Sequence, residues 1–150
     1  MAGSCIITDR YLTSGFADDI LPDLKNMEKI LAIGLGGAIG AISRYVISGW
    51  IYAKWEGMFA LGTFIINVFG SFALGFLIIF FDERLTISPT IKVMITIGLL
   101  GSFTTFSTFS VETLKLIELS LWKDAFLNLF LSVIVSILSA YLGIIMAKSI

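Results

Sequence analysis

Gly98-Leu-Leu-Gly-Ser-Phe-Thr-Thr-Phe-Ser-Thr-Phe-Ser110 sets glycines, hydroxyls and spaced phenylalanines inside a segment otherwise apolar enough to cross a bilayer. In hydrocarbon a polar group has no water to bond, so such a cluster must be satisfied by protein, by an ion or by a wet pathway. The flanking chain has the same solvent. Of its 150 residues 57% are hydrophobic and 14% charged, with a mean hydropathy of +0.99, well beyond the roughly half-apolar make-up of a soluble domain. The chain therefore reads as an integral membrane protein. It is too small to enclose a wide pore alone, so transport predicts an oligomer.

Hydropathy predicts an all-α membrane fold of four transmembrane helices, over about 30–50, 58–81, 91–119 and 125–147. The connectors are short and polar, and Trp50, Tyr52, Trp55 and Trp122 stand at segment ends where interfacial belts form. No length remains for a soluble catalytic domain. A net charge of −1 gives no sign of a nucleic-acid partner. The absence of His, with Cys5 as the single cysteine, argues against metal, disulfide and His-based catalytic chemistry.

Residues 1–26 differ from the rest: Asp9, Asp18, Asp19 and Asp23 stand against Arg10 and Lys25, without the apolar core of a secretory signal. They are expected to form a poorly ordered tail ahead of a channel domain at 27–150, and Met27 reads as an alternative natural start. Alternating the four spans places Lys29, Arg84, Lys92 and Lys148 on one side and Lys54 and Lys123 on the other. So weak a bias permits insertion both ways and an antiparallel homodimer, or a single orientation that a small bias still sets.

Gly34, Gly36, Gly37 and Gly40 in the first span, and Gly62, Gly70, Ser71, Ala73 and Gly75 in the second, suit close helix packing. Three polar residues demand more. Arg44 can snorkel to headgroups or draw anions to a pore mouth. The Asn67 amide can bridge two helices or donate to a passing anion. Glu112 can pair with Lys115 or a helix end, or line a pathway. In the fourth span Asn128, Ser132, Ser136 and Ala140 recur every fourth residue, so the first three form a polar stripe that reads as a wet track or as hydroxyls bonded back to their own helix.

In the opening motif, Phe103, Phe106 and Phe109 recur at intervals of three, while Gly98, Gly101 and the Thr/Ser run predict a third helix broken near its middle. Carbonyls at such a break can coordinate a hard cation, and the positive edges of aromatic rings can face an anion. The competing account is a Phe-rich packing face with its hydroxyls bonded to backbone.

Three ordered motifs, Gly36-Gly-Ala-Ile-Gly-Ala-Ile-Ser-Arg-Tyr45, Gly62-Thr-Phe-Ile-Ile-Asn-Val-Phe-Gly-Ser-Phe72 and Gly98 to Glu112, resemble the signatures of the CrcB/Fluc fluoride channels of microbial membranes over roughly residues 28–147. The resemblance implies an antiparallel, dual-topology homodimer in the cell membrane, with two pores that release fluoride passively and exclude chloride. It implies that Asn67 is the pore asparagine, that Phe106 and Phe109 turn ring edges toward fluoride, and that Asn128, Ser132 and Ser136 form the polar track. Hydroxyls of Ser107 or Thr108 would add donors. A central structural sodium ion would be held by backbone carbonyls of Gly101 and Thr104, with Arg44 and Glu112 near the vestibule. Ser102 stands where many relatives have a second glycine, and Asn128 where some have tyrosine. A small dual-topology multidrug exporter shares the size and span number, but it needs a carboxylate within its first span, and this chain has none there.

Overall fold

A computed structural model describes residues 27–55, 57 and 59–150. The tail expected at 1–26 lies outside the described residues. Helix α1 covers Met27–Lys54 and α2 covers Leu61–Glu83. Helix α3, residues 89–103, begins as ordinary α-helix at Pro89–Val93, widens to a π-helix at Met94–Leu100 and ends on Gly101–Phe103. Helix α4 is Phe106–Glu118, and α5 is Trp122–Ser149.

The apolar spans are therefore Met27–Lys54, Leu61–Glu83, Pro89–Glu118 and Trp122–Ser149. At about 1.5 Å per residue even the shortest outruns a hydrocarbon layer of about 30 Å. Leu35, Ile42, Ile137 and Leu142 stay more than half exposed, as lipid-facing side chains do. Among the described residues Lys54 Nζ sits 4.0 Å from the centroid of the Trp50 ring at the end of α1. This is a multi-pass membrane protein.

Local chemistry explains the ends. Ser88 caps α3 by accepting the Ile91 N–H at 3.3 Å, with Pro89 opening the helix. The turn between α4 and α5 is a Schellman motif: Leu121 N–H donates to Leu116 O and Ser120 N–H to Ile117 O, both at 2.9 Å, with Ser120 at φ 60°.

The break in the third span falls near its middle, at Thr104 and Thr105 of the Thr/Ser run. Both threonines are extended, with φ/ψ of −77°/156° and −151°/116°. β-Branched residues accept that backbone readily, and Thr105 brings its own cap for α4. Gly98 stays helical and serves packing: a methyl there would meet Ile33 O of α1 at 2.7 Å.

Close backbone approach organises the packing into α1 against α3 and α2 against α5. Gly36 and Gly40 lie against the Met94 and Leu99 carbonyls of α3. In the second pair Gly75 lies against Ala140 and Gly143 against Phe72, backbone to backbone. Gly75→Val should therefore force α2 and α5 apart and lower the melting temperature of the purified protein sharply, by about 1–3 kcal/mol or more of stability. Gly49→Ala, whose methyl meets open space, should leave it unchanged or slightly raised. Equal melting of the Gly75→Val protein and wild type would disprove the close-packing account.

Candidate functional site

Breaking a helix inside a membrane strands backbone groups, and Asn67 of α2 recovers them. Its Nδ2 donates to Thr105 O at 3.1 Å while its Oδ1 accepts the Thr105 N–H at 2.8 Å. One amide thus satisfies both backbone groups of a single residue. Gly70, one turn on, leaves room for the Thr104 side chain. The Thr105 hydroxyl, itself buried, accepts the Thr108 N–H at 3.2 Å, donates to Thr108 Oγ1 at 3.0 Å, and lies 3.2 Å from Ser107 Oγ.

These bonds redirect two amides. In a continuous helix the Gly101 and Thr104 carbonyls accept from Thr105 and Thr108 N–H. Here the first amide goes to Asn67 and the second to the Thr105 hydroxyl.

Beside the break lies a cleft of about 290 Å³ lined by Asn67, Ser71, Thr104, Thr105, Phe106, Phe109, Ser132, Val133, Ser136 and Ile137. The structure thus brings together Asn67, Phe106, Phe109, Ser132 and Ser136, which the sequence spreads over three spans. The two rings sit 5.3 Å apart at 45°. Phe109 is 5% exposed and Phe106 74%.

Asn128 is placed differently from Ser132 and Ser136. It is 1% exposed and lies behind the cleft wall, where its Nδ2 donates to Thr113 Oγ1 at 2.9 Å and its Oδ1 accepts from Ser132 Oγ at 3.2 Å. Thr113 passes the chain on to Phe109 O at 2.8 Å. Asn128 therefore fixes the Ser132 hydroxyl and ties α5 to α4. Ser136 Oγ is buried and has no partner among the described residues.

A second cavity, of about 230 Å³, opens on the other side of Thr105. Arg44, Tyr45, Ser48, Tyr52, Thr63 and Thr108 line it, with Thr105 common to both spaces. Ser107 lines neither space, although its hydroxyl touches that of Thr105.

Glu112 stands next to this second cavity. Its Oε1 accepts from Tyr52 OH at 2.7 Å and from Thr63 Oγ1 at 3.0 Å, while its buried Oε2 has no hydrogen-bond partner among the described residues. Tyr52 OH also lies 3.1 Å from Thr63 Oγ1 and accepts the Thr63 N–H at 3.3 Å. One carboxylate from the middle of α4 thereby joins the end of α1 to the start of α2. Lys115, a candidate partner from the sequence, shares a cleft with Glu112 without pairing to it. Sequence reasoning placed Tyr52 in an interfacial belt, gave Thr63 no role and read Ser71 as a packing residue. The one local signal was that Thr63 and Ser71 lie in the Gly62 to Phe72 motif on either side of Asn67, one turn from it.

The fold and the site define a class: a small polytopic membrane protein with a polar, aromatic-edged cleft at a broken helix. Comparison with known proteins narrows it. Residues 31–144 match the family described as "CrcB-like protein, Camphor Resistance (CrcB)". A "Fluoride-specific ion channel FluC" of Nitratiruptor sp. is 46% identical over 123 residues, covering 82% of this chain and 94% of the relative. One of Magnetococcus marinus is 44% identical over 120 residues, covering 80% and 98%. A "Fluoride-specific ion channel FluC 1" of Methanosarcina acetivorans is 43% identical over 121 residues, covering 81% and 92%. This chain belongs to the CrcB family. The match leaves no support for the multidrug exporter reading.

Proposed function

We propose that this chain is a fluoride-selective channel of the cell membrane, which lets fluoride leave passively and so lowers its toxicity inside. The observation that carries the reading is the cleft at the break, where one amide, two phenyl rings and three serines converge in a chain whose relatives are named fluoride-specific ion channels. Passive release down a gradient needs no catalytic group, and the chain is not read as an enzyme.

Fluoride is small and strongly hydrated, so permeation requires donors that replace water one or two at a time. Arg44 at the second cavity raises the local anion concentration, and Thr108 offers a hydroxyl along the way. Beyond Thr105, Asn67 contributes its second amide N–H, the first being spent on Thr105 O. Phe106 and Phe109 supply weakly positive ring edges, and Ser132 and Ser136 continue the donor line on α5. Among the described residues no Lys or Arg lines the cleft, so no cationic side chain forms a deep trap that would hold the ion. Chloride, larger and less demanding of donors, is excluded by width and donor spacing. Glu112, clamped by Tyr52 and Thr63, keeps the mouth of the path in shape.

We further read the channel as an antiparallel, dual-topology homodimer with two pores, a reading supported by the weak charge bias and by the large exposed apolar faces. The Gly101 and Thr104 carbonyls, whose helical N–H partners are taken by Asn67 and Thr105, suit a structural sodium ion at the centre of that dimer. A sodium ion there would draw the two broken segments together and supply fixed positive charge near the middle of the membrane.

Purified protein in liposomes loaded with fluoride and chloride should release fluoride and retain chloride, read with ion-selective electrodes. Vesicles that keep their fluoride, or that instead take up organic cations against a proton gradient, would refute the assignment.

A further inference from the structure

Serines and threonines within membrane helices commonly turn their hydroxyls back onto the carbonyl one turn earlier. This chain does so at Thr96, Thr104, Ser110 and Thr113, which donate to Lys92, Leu100, Phe106 and Phe109 carbonyls. Other hydroxyls are spent on further partners, Ser139 across to α2 on Val68 O at 2.9 Å and Ser132 along its own helix on Asn128 Oδ1. Two hydroxyls along the cleft have no partner among the described residues. Ser136 Oγ is one; the other belongs to Ser71, which makes no side-chain hydrogen bond among the described residues although the Asn67 carbonyl lies one turn back.

A buried O–H left unbonded, as at Ser136, is costly unless something passes that accepts from it, and the unbonded Ser71 O–H stands open to the same cleft. Ser71 stands one turn from Asn67 on the same face of α2, and Ser136 stands on α5, the helix packed against α2. We infer that Ser71 is a further fluoride-coordinating donor, which takes the ion from the Asn67 amide and shares it with Ser136 across the α2–α5 cleft. The inference rests on the channel reading above. It adds a donor on the α2 wall, so the ion is handed on between two walls and not only along the α5 stripe. Two weak, adjacent stations also favour exit over trapping.

The test compares wild type, Ser71→Ala and Ser71→Thr in liposomes, measuring initial fluoride efflux over a range of internal fluoride together with the melting temperature of each purified protein. Ser71→Ala should melt with wild type, yet its maximal efflux should fall, or its half-saturating fluoride rise, by about tenfold, as expected from one lost hydrogen bond to an anion. Ser71→Thr, which keeps the hydroxyl, should recover most of the loss. Wild-type rate and half-saturation in Ser71→Ala overturn the inference while leaving the channel reading intact. A lost rate that tracks a lowered melting temperature also overturns it, since Ser71 would then serve packing. Wild-type vesicles that release no fluoride overturn the channel reading, and this inference with it.

Discussion

Asn67→Asp should reduce fluoride efflux to the level of empty liposomes, a loss of about a hundredfold or more, and should destabilise the purified protein by about 2–5 kcal/mol. Both effects come from the two bonds to Thr105. Aspartate keeps an acceptor for the Thr105 N–H but replaces the donor to Thr105 O with a second acceptor, so a carbonyl at membrane depth loses its partner and faces a carboxylate. The same substitution puts a negative charge in the cleft through which the anion must pass. Asn67→Ala separates the contributions. It strands both backbone groups of Thr105 but adds no charge, so it should destabilise at least as much while lowering flux less steeply. Electrode traces and thermal melts of the two variants check this, and wild-type efflux from the aspartate variant would end the case for Asn67 on the path.

Phe106→Ile and Phe109→Ile should each lower fluoride efflux about tenfold or more, and the double variant further. Isoleucine keeps an apolar surface but has no ring edge with a partial positive charge, so an ion leaving the Asn67 amide meets hydrocarbon where it met a weak electrostatic partner. Phe106 is the cleaner probe. Its side chain is 74% exposed within the chain, so the substitution removes little buried packing and the loss reports on the ring. Phe109 is 5% exposed, and part of its effect will come from a cavity, visible as a lowered melting temperature. Undiminished flux in both single variants would refute the roles given to the rings.

The four spans were legible because a bilayer imposes a local rule: each crossing needs enough consecutive apolar residues, and that can be counted along the chain. The expected segments lie within the spans observed, apart from a few residues at their ends. The break was legible as a region, since glycines and hydroxyls in an apolar run weaken a helix. Its place near the middle of the span was legible too, but not which residues of the glycine and Thr/Ser run would open: Gly98 stays helical, close against α1, and the chain opens at Thr104 and Thr105, where an amide on another helix waits.

The candidate site divides in the same way. Phe106 and Phe109, three residues apart, and Ser132 and Ser136, four apart, share a face by helical geometry alone. The every-fourth-residue stripe could not say that Asn128 turns behind the wall to hold Thr113 and Ser132, because helical period sets direction around an axis and not what stands opposite. Nor could it find Tyr52 and Thr63 on Glu112, a contact whose members lie 49 and 60 residues from the carboxylate. By itself the sequence determined the solvent, the number of crossings and the residue types able to meet an anion, all properties of single segments. Only the tertiary structure decided where the third helix opens and which hydroxyls stay unspent, because both depend on partners brought from distant spans to satisfy polar groups where no water can.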